Sequence, residues 1–397
     1  MGNELQLSNR QKNFFGVLVC LIIPLSGMST DIYLPSLPAI AQHFQTGKSL
    51  SQVTVTSFVL ALALSQLIAG PVSDAMGRKI LILTALFVQF LAIVAIIYSP
   101  TIQWMIGLRF LQGLGAAFMM VPVRAINMDV LSGHALKKQL NYNTISFAIG
   151  PIIAPFIGGY LQHHFGWQSN FYFLLIYIII VSGLVLLFYR ETLSFRHSFS
   201  IRHLWKNYDI ILRNFYFLLL GIFLGTLWGY VAIFNITAPF LVQTVLQRSA
   251  ITYGHIALIM GVALFLGNII NRLSFYMDKK IKIQGALWSI SLLTLIMLIL
   301  SGRGHLSLTL LTIPTFFIIF FSGIIIPILM GEAMIFFPEL AASANACFFT
   351  LIWLTFSLFT YLATWIKIHS LFPLAMAYLC INLFCLIAYY GFIRRLD

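Results

Sequence analysis

Long apolar runs alternate with short polar breaks along the whole chain. The runs fall at about 13–35, 52–72, 80–98, 103–124, 141–161, 170–189, 214–240, 252–272, 283–301, 306–330, 341–365 and 370–393. Each is near the roughly 20 residues that a helix needs to cross a bilayer. The runs are continuous, which argues against a membrane β-barrel, whose strands alternate apolar and polar positions. The pattern predicts an all-α membrane protein with twelve transmembrane helices. The widest weakly apolar break, "RETLSFRHSFSIRHLWKNYDIILR", follows the sixth run. It predicts an N-terminal six-helix bundle over 1–190, a linker over 191–213 and a C-terminal six-helix bundle over 214–397. Two such halves are a common plan for secondary transporters. The halves are not visibly alike in sequence, so the repeat rests on hydropathy.

Composition agrees. Of 397 residues, 60% are hydrophobic and 8% charged, against roughly 25% charged in soluble domains. A formal charge of +13 would suggest a nucleic-acid partner in a soluble protein. In a membrane protein Lys and Arg collect on cytoplasmic connections instead, and no nucleic acid is expected. If the N-terminus is cytoplasmic, eighteen Lys and Arg fall on the cytoplasmic side and four, Lys48, Arg248, Arg303 and Lys367, on the other. Both termini are therefore expected inside. Arg109 is left over, within the fourth span. Arg10 and Lys12 before the first run resemble the start of a signal peptide, but no clear small-residue cleavage site follows, so the run is read as a retained span.

The 4 cysteines and 9 histidines show neither a disulfide framework nor metal-ligand spacing. No metal or cofactor is expected. There is no GxxxxGK[ST] loop and no connection long enough for a soluble catalytic domain, which argues against ATP-driven transport. No nucleophile–base pair supports a membrane-embedded enzyme or receptor.

Among the 10 acidic residues, most fall at cytoplasmic span ends or at the termini. Asp31, in "GMSTDIYLPSLP", and Glu332 are left as candidates for intramembrane carboxylates, which are costly and usually functional. Asp31 lies about 6–12 Å below the outer surface and Arg109 about 9 Å, at 1.5 Å per residue. The two can share a depth. A shared site for carrying a proton is the functional reading; a helix cap with a structural arginine is the plain one. Glu332 is read first as snorkelling to the interface. Tyr33, Gln112, Arg124, Trp228, Tyr230, Asn235 and Glu332 are candidates for a substrate cavity, although most aromatic residues in so apolar a chain must pack or face lipid.

Several stretches carry a resemblance. "GPVSDAMGRK" (Gly70 to Lys79) resembles the major facilitator superfamily signature G-x-x-x-D-R-x-G-R-[RK], matching at Gly70, Asp74, Gly77, Arg78 and Lys79. Ala75 replaces its usual arginine, so one ionic contact should be missing. Gly70 is expected to allow close helix packing and Gly77 a tight turn. Asp74 is expected to receive a helix N-terminus or an arginine as a conformational latch. "LRFLQGLGAA" resembles the fourth-span motif. "GPIIAPFIGGYL" resembles the fifth-span motif associated with antiporters, matching at Gly150, Pro151, Pro155, Gly158 and Gly159. "TDIYLPSLP", "VRAINMD", "FGWQSNFYFLL" and "RETL" are similar to stretches of the Bcr/CflA, or bicyclomycin-resistance, type of drug/proton antiporter.

That resemblance implies the major facilitator fold in a bacterial inner membrane. It also implies a monomeric proton-coupled exporter of small organic compounds, drugs or metabolites such as siderophores, working by alternating access. Asp31 and Arg109 would handle the proton. An uptake symporter or uniporter of the same fold remains the alternative.

Overall fold

The computed structural model describes residues 9–193 and 201–395. Glu4, Arg196 and Asp397 lie outside these residues, as do the side chains of Arg10, Arg202 and Arg395. Among the described residues the chain is helical throughout. The helices are α1 (Asn9–Asp31), α2 (Leu37–His43), α3 (Lys48–Met76), α4 (Arg78–Ile97), α5 (Ile102–Val130), α6 (Gly133–Phe165) and α7 (Gln168–Phe188). After these come α8 (Ile201–Leu212), α9 (Phe215–Phe240), α10 (Ala250–Leu273), α11 (Lys279–Gly302), α12 (Leu308–Met334), α13 (Ala341–Ala363) and α14 (Phe372–Gly391). Twelve spans are long and apolar enough to cross a membrane, the first made of α1 and α2 together. Every predicted apolar run is one of them. The helices overrun the apolar runs by up to eight residues, as at α6, because polar ends continue the hydrogen-bond ladder beyond the hydrocarbon layer.

Local chemistry sets the breaks. The side chains of Thr101, Asn214, Ser249, Asp278 and Ser307 accept backbone N–H groups at the starts of α5, α9, α10, α11 and α12. They satisfy donors that a helix start leaves open. Pro35 and Pro38 lack an N–H and sit at the first positions of the 3₁₀ turn Leu34–Ser36 and of α2. There the first span turns and restarts.

The first six spans pack chiefly on one another, as do the last six, and the two groups meet along α3 with α13 and α6 with α10. An even number of crossings puts the start of α1 and the end of α14 at one end of the bundle, called proximal here. At the other, distal end the groups are tied together. Lys48 Nζ donates to Ile366 O (2.6 Å), Ser49 Oγ to Thr364 O (3.0 Å) and Gln52 Nε2 to Ile236 O (2.7 Å). Gln243 Nε2 donates to Pro35 O (2.8 Å) and Thr56 Oγ1 to Thr360 Oγ1 (2.9 Å).

Toward the proximal end the two interfaces differ. Between α6 and α10 the close contacts run from Gly159 against Ala250 to Gly261 against Ile152. Beyond them, α6 from 133 to 149 and α10 from 262 to 273 are largely exposed. Beside α3 and α13 lies α8, which packs on α13 and donates from Tyr208 Oη to Leu67 O of α3 (2.5 Å). Burial pushes this hydroxyl's pKa up to about 12, so it stays a neutral donor. The two groups are tied together at the distal end, and the proximal stretches of α6 and α10 are largely exposed.

Candidate functional site

Asp31 is the last residue of α1, 7% exposed, at the distal seam between the groups. Asn235 of α9 donates Nδ2 to its Oδ1 at 3.4 Å. The carboxylate of the first half is thus held by an amide of the second.

Arg109 of α5 is fully buried beside it. Its guanidinium carbon lies 4.3 Å from the ring centres of both Tyr33 and Phe58. Nη1 donates to Ser29 O (3.0 Å) and to Gln112 Oε1 (2.5 Å). Among the described residues Nε and Nη2 have no hydrogen-bond partner. Among the described residues no ion pair joins Arg109 to Asp31. The shared depth expected from sequence holds, since Arg109 reaches a carbonyl two residues before Asp31. The cation is held by ring faces and neutral acceptors. Tyr33 in turn hydrogen-bonds Thr54 through its hydroxyl (3.0 Å).

The other cavity candidates separate. Gln112 and Tyr33 belong to the Arg109 cluster. Asn235 reaches Asp31, and Trp228 is half-buried on α9. Arg124 lies 5.5 Å from the ring centre of Phe147 on α6 and 5.3 Å from that of Phe349 on α13. It therefore bridges the two groups. Tyr230 is fully buried and packs edge-on against Tyr378 at 5.4 Å. It fills the interior of the second half and does not line an opening. Glu332 is paired with Lys279 (3.2 Å) at the proximal end of α12, so it belongs to an ion pair at the helix ends. A neighbouring basic residue decides its place, and only the fold brings the two together. An apolar groove of about 520 Å³ between α9, α13 and α14 lies apart from all of these charges.

The signature stretch lies at the proximal end of the first half. Gly77 has φ +100°, a region that favours glycine, and it turns the chain from α3 into α4. Arg78 then points back. Its Nη1 donates to Asp74 Oδ1 (2.6 Å) and Ser73 Oγ (2.7 Å), and its Nε to Asp129 Oδ2 at the end of α5 (3.2 Å). Asp74 takes the arginine, while the start of α4 goes to Glu191. That residue accepts from Arg78 N at Oε1 (3.1 Å) and from Lys79 N at Oε2 (3.0 Å). Thr192 Oγ1 donates to Asp129 (3.1 Å), closing the ring, and Lys79 Nζ donates to Leu186 O (3.1 Å). Gly70 differs from expectation. A Cβ there would stand 3.9 Å from Val121, ordinary contact, so helix packing does not require the glycine.

The fifth-span motif is a packing seam on two sides. A Cβ at Gly150 would meet Pro24 O at 2.7 Å, and one at Gly158 would overlap Ile32 O at 1.7 Å. Both face the first span. A Cβ at Gly159 would meet Ala250 O at 2.7 Å, in the second half. Pro151 packs its ring on the bare face of Gly27, and Pro155 O abuts Gly254. The motif lets α6 lie close against the first span on one side and α10 on the other.

Sequence reasoning passed over Glu191, Thr192, Phe58, Phe147 and Phe349 as site residues. Glu191 left a signal: an acidic side chain just past a span end, where a helix start could use it.

Comparison with known proteins agrees with this fold. The model of the Major Facilitator Superfamily matches residues 19–360. The bicyclomycin resistance protein homolog of Haemophilus influenzae is 32% identical over 209 residues, 52% of this chain and 51% of that protein. Multidrug resistance protein D of Escherichia coli is 25% identical over 348 residues, 85% of each. In fold, the chain is similar to the inward-open xylose transporter XylE from E. coli. The TM-score is 0.74 at 14% identity, over 95% of this chain and 96% of that one. With a family match across most of its length and twelve membrane-spanning helices, the chain belongs to the Major Facilitator Superfamily, as a multi-pass transporter of the bacterial inner membrane.

Proposed function

We propose that the chain is a proton-coupled exporter of small organic compounds, working by alternating access. The observation that carries this is the place of Asp31. It is a buried carboxylate at the distal seam, hydrogen-bonded across it to Asn235. Ionisable groups inside a membrane protein are costly and mark ion or proton pathways. A proton gained or lost at Asp31 changes the charge on the contact that helps hold the distal ends together. Proton loading and opening are thereby coupled through one group. Arg109 sets the local field without occupying the carboxylate, which leaves Asp31 free to exchange.

The excess of Lys and Arg at proximal connections supports a cytoplasmic proximal end. On that reading the exposed proximal stretches of α6 and α10 face a cavity open to the cytoplasm. The halves 1–190 and 214–397 move as units, joined by 191–213, and the monomer suffices. The names of the two resistance relatives support export, as does the fifth-span seam. The membrane potential contributes about 2.3 kcal/mol per charge per 100 mV to any charge moved.

The test is Asp31→Asn in inside-out vesicles, with a compound found by growth screening of a deletion strain. Vesicles holding the wild-type chain should accumulate the compound when their interior is acidic. The variant should lose at least tenfold of that proton-driven uptake. Normal proton exchange in the variant would remove Asp31 from the mechanism, and loss of the compound from acid-filled vesicles would reverse the direction.

A further inference from the structure

Among the described residues Arg124 is a cation with no counter-ion. It stands on α5, about four turns proximal to Arg109, roughly 22 Å along the helix at 1.5 Å per residue. Among the described residues its guanidinium makes neither a hydrogen bond nor an ion pair. It is held between the rings of Phe147 and Phe349, one from each half. All but one of the described carboxylates of the proximal end are engaged elsewhere. Asp74 and Asp129 take Arg78, Glu191 takes the start of α4, Asp209 takes Arg213 and Glu332 takes Lys279. Asp278 caps α11, and Glu339 is exposed in the connection between α12 and α13.

Arg124 is half-buried six residues from the end of α5, with ring faces against it, so its donors are open to a ligand. Its five N–H donors form a planar fork that matches a carboxylate, sulfonate or phosphate. The flanking rings offer faces for a flat apolar body and belong to opposite halves, so a ligand seated there touches both. The proximal part of α6 adds Lys137 and Lys138, both exposed, which raise the local concentration of anions.

We infer that Arg124, Phe147 and Phe349 form the substrate's anion-recognition site. The transported compounds would then carry an anionic group on a planar apolar body. This rests on the transporter reading and narrows it to a substrate class. It also separates two tasks: Arg124 holds the substrate's charge while Asp31, far along the bundle, handles the proton.

The experiment measures binding to the purified full-length chain in dodecyl maltoside, without anionic lipid and without a proton gradient. Three matched probes are used: 1-naphthoate, 1-naphthamide and 1-naphthylmethylammonium. The wild-type chain should bind the naphthoate at least tenfold more tightly than the other two. Arg124→Gln should weaken naphthoate about tenfold or more and leave naphthamide unchanged, and Arg124→Lys should restore part of the loss. A preference for the ammonium, no preference, or binding to none of the three overturns the inference. The wild-type ranking decides even if the glutamine variant does not fold. Because no gradient is present, a chain that ranks the probes as expected but exchanges no protons in vesicles upholds this site and refutes proton coupling.

Discussion

The first half ties the start of α4 to the end of α5 through Arg78 and Asp129, and the second half ties the start of α11 to the end of α12 through Lys279 and Glu332. The two pairs occupy the same places, the third and fourth spans of each group of six. Their surroundings differ. The Arg78 side chain is 9% exposed and Asp129 18%, whereas Lys279 and Glu332 are 40% and 37% exposed. Arginine's fork also serves Asp74 and Ser73 at once, which a lysine's point charge matches poorly. Glu191 arrives from beyond α7 to hold the start of α4. At α11 the N-terminal cap is local, from Asp278. Four span ends are therefore knotted together in the first half. In the second half the half-exposed Lys279–Glu332 pair joins α11 to α12, and Lys282 Nζ donates to Asn271 Oδ1 (2.9 Å) and Ser274 O (3.2 Å) at the end of α10. The lesson is that matching span ends are joined by a buried arginine cluster in the first half and by half-exposed lysines in the second. The second half's cluster is expected to be the weaker of the two.

Arg78→Ala should break this contrast most strongly. It leaves Asp74 and Asp129 close together with no cation between them. Losing one partner of a buried pair costs about 3–5 kcal/mol. Asp74 is 43% exposed, so solvent screening brings the expected cost nearer about 2–3 kcal/mol. In proteoliposomes transport should fall at least tenfold, with Arg78→Lys recovering only part. An Arg78→Ala chain with wild-type rate and wild-type melting temperature in detergent would show that the network does not stabilise the fold or the working states.

Glu191→Gln should act next, at about 1 kcal/mol, since a neutral amide still accepts one N–H but no longer complements the helix start. Amide exchange reads this locally: the Arg78 and Lys79 N–H groups should exchange about fivefold faster while those in the middle of α4 do not change. Uniform acceleration along α4 would mean that Glu191 supports the whole helix and not its first turn.

The difference between Glu191 and Glu332 also marks what the sequence could reveal. Continuous apolar runs report spans directly, because each span must satisfy its own backbone inside lipid, and all twelve were legible. The turn through Gly77 and the charged side chains after it were legible because they sit within ten residues of one another. Glu191 meets Arg78 across 113 residues, and no local spacing announces such a contact. Glu332 reads first as snorkelling to the interface, and its partner was not legible because the lysine that pairs with it is 53 residues earlier. Asp31 and Arg109 were placed at one depth from span arithmetic alone. Their separation was not legible, since it depends on Tyr33 and Phe58 closing on the guanidinium. The same holds for Arg124, whose ring partners come from α6 and α13.

Lys279→Ala tests the second half. Half-exposed pairs contribute about 0–1 kcal/mol and are screened by salt. The melting temperature in detergent should shift by no more than a few degrees at low salt, and the difference from wild type should vanish near 1 M salt. A loss as large as that of Arg78→Ala would erase the asymmetry between the halves.

The smallest effect is expected at Gly70→Ala. The structure leaves room for a Cβ beside Val121, at 3.9 Å, and alanine favours a helix over glycine by up to about 1 kcal/mol. Stability in detergent should therefore be unchanged or slightly higher, and transport should keep its rate. If stability holds while transport drops, the room at Gly70 is used in the other state. The proximal part of α3 would then approach a neighbour that it does not touch when the distal ends are closed. Such a result would move the first half's proximal end from rigid anchor to moving part. It would also assign the signature's two glycines to different states, Gly77 to the turn seen here and Gly70 to the contact made when the proximal ends close.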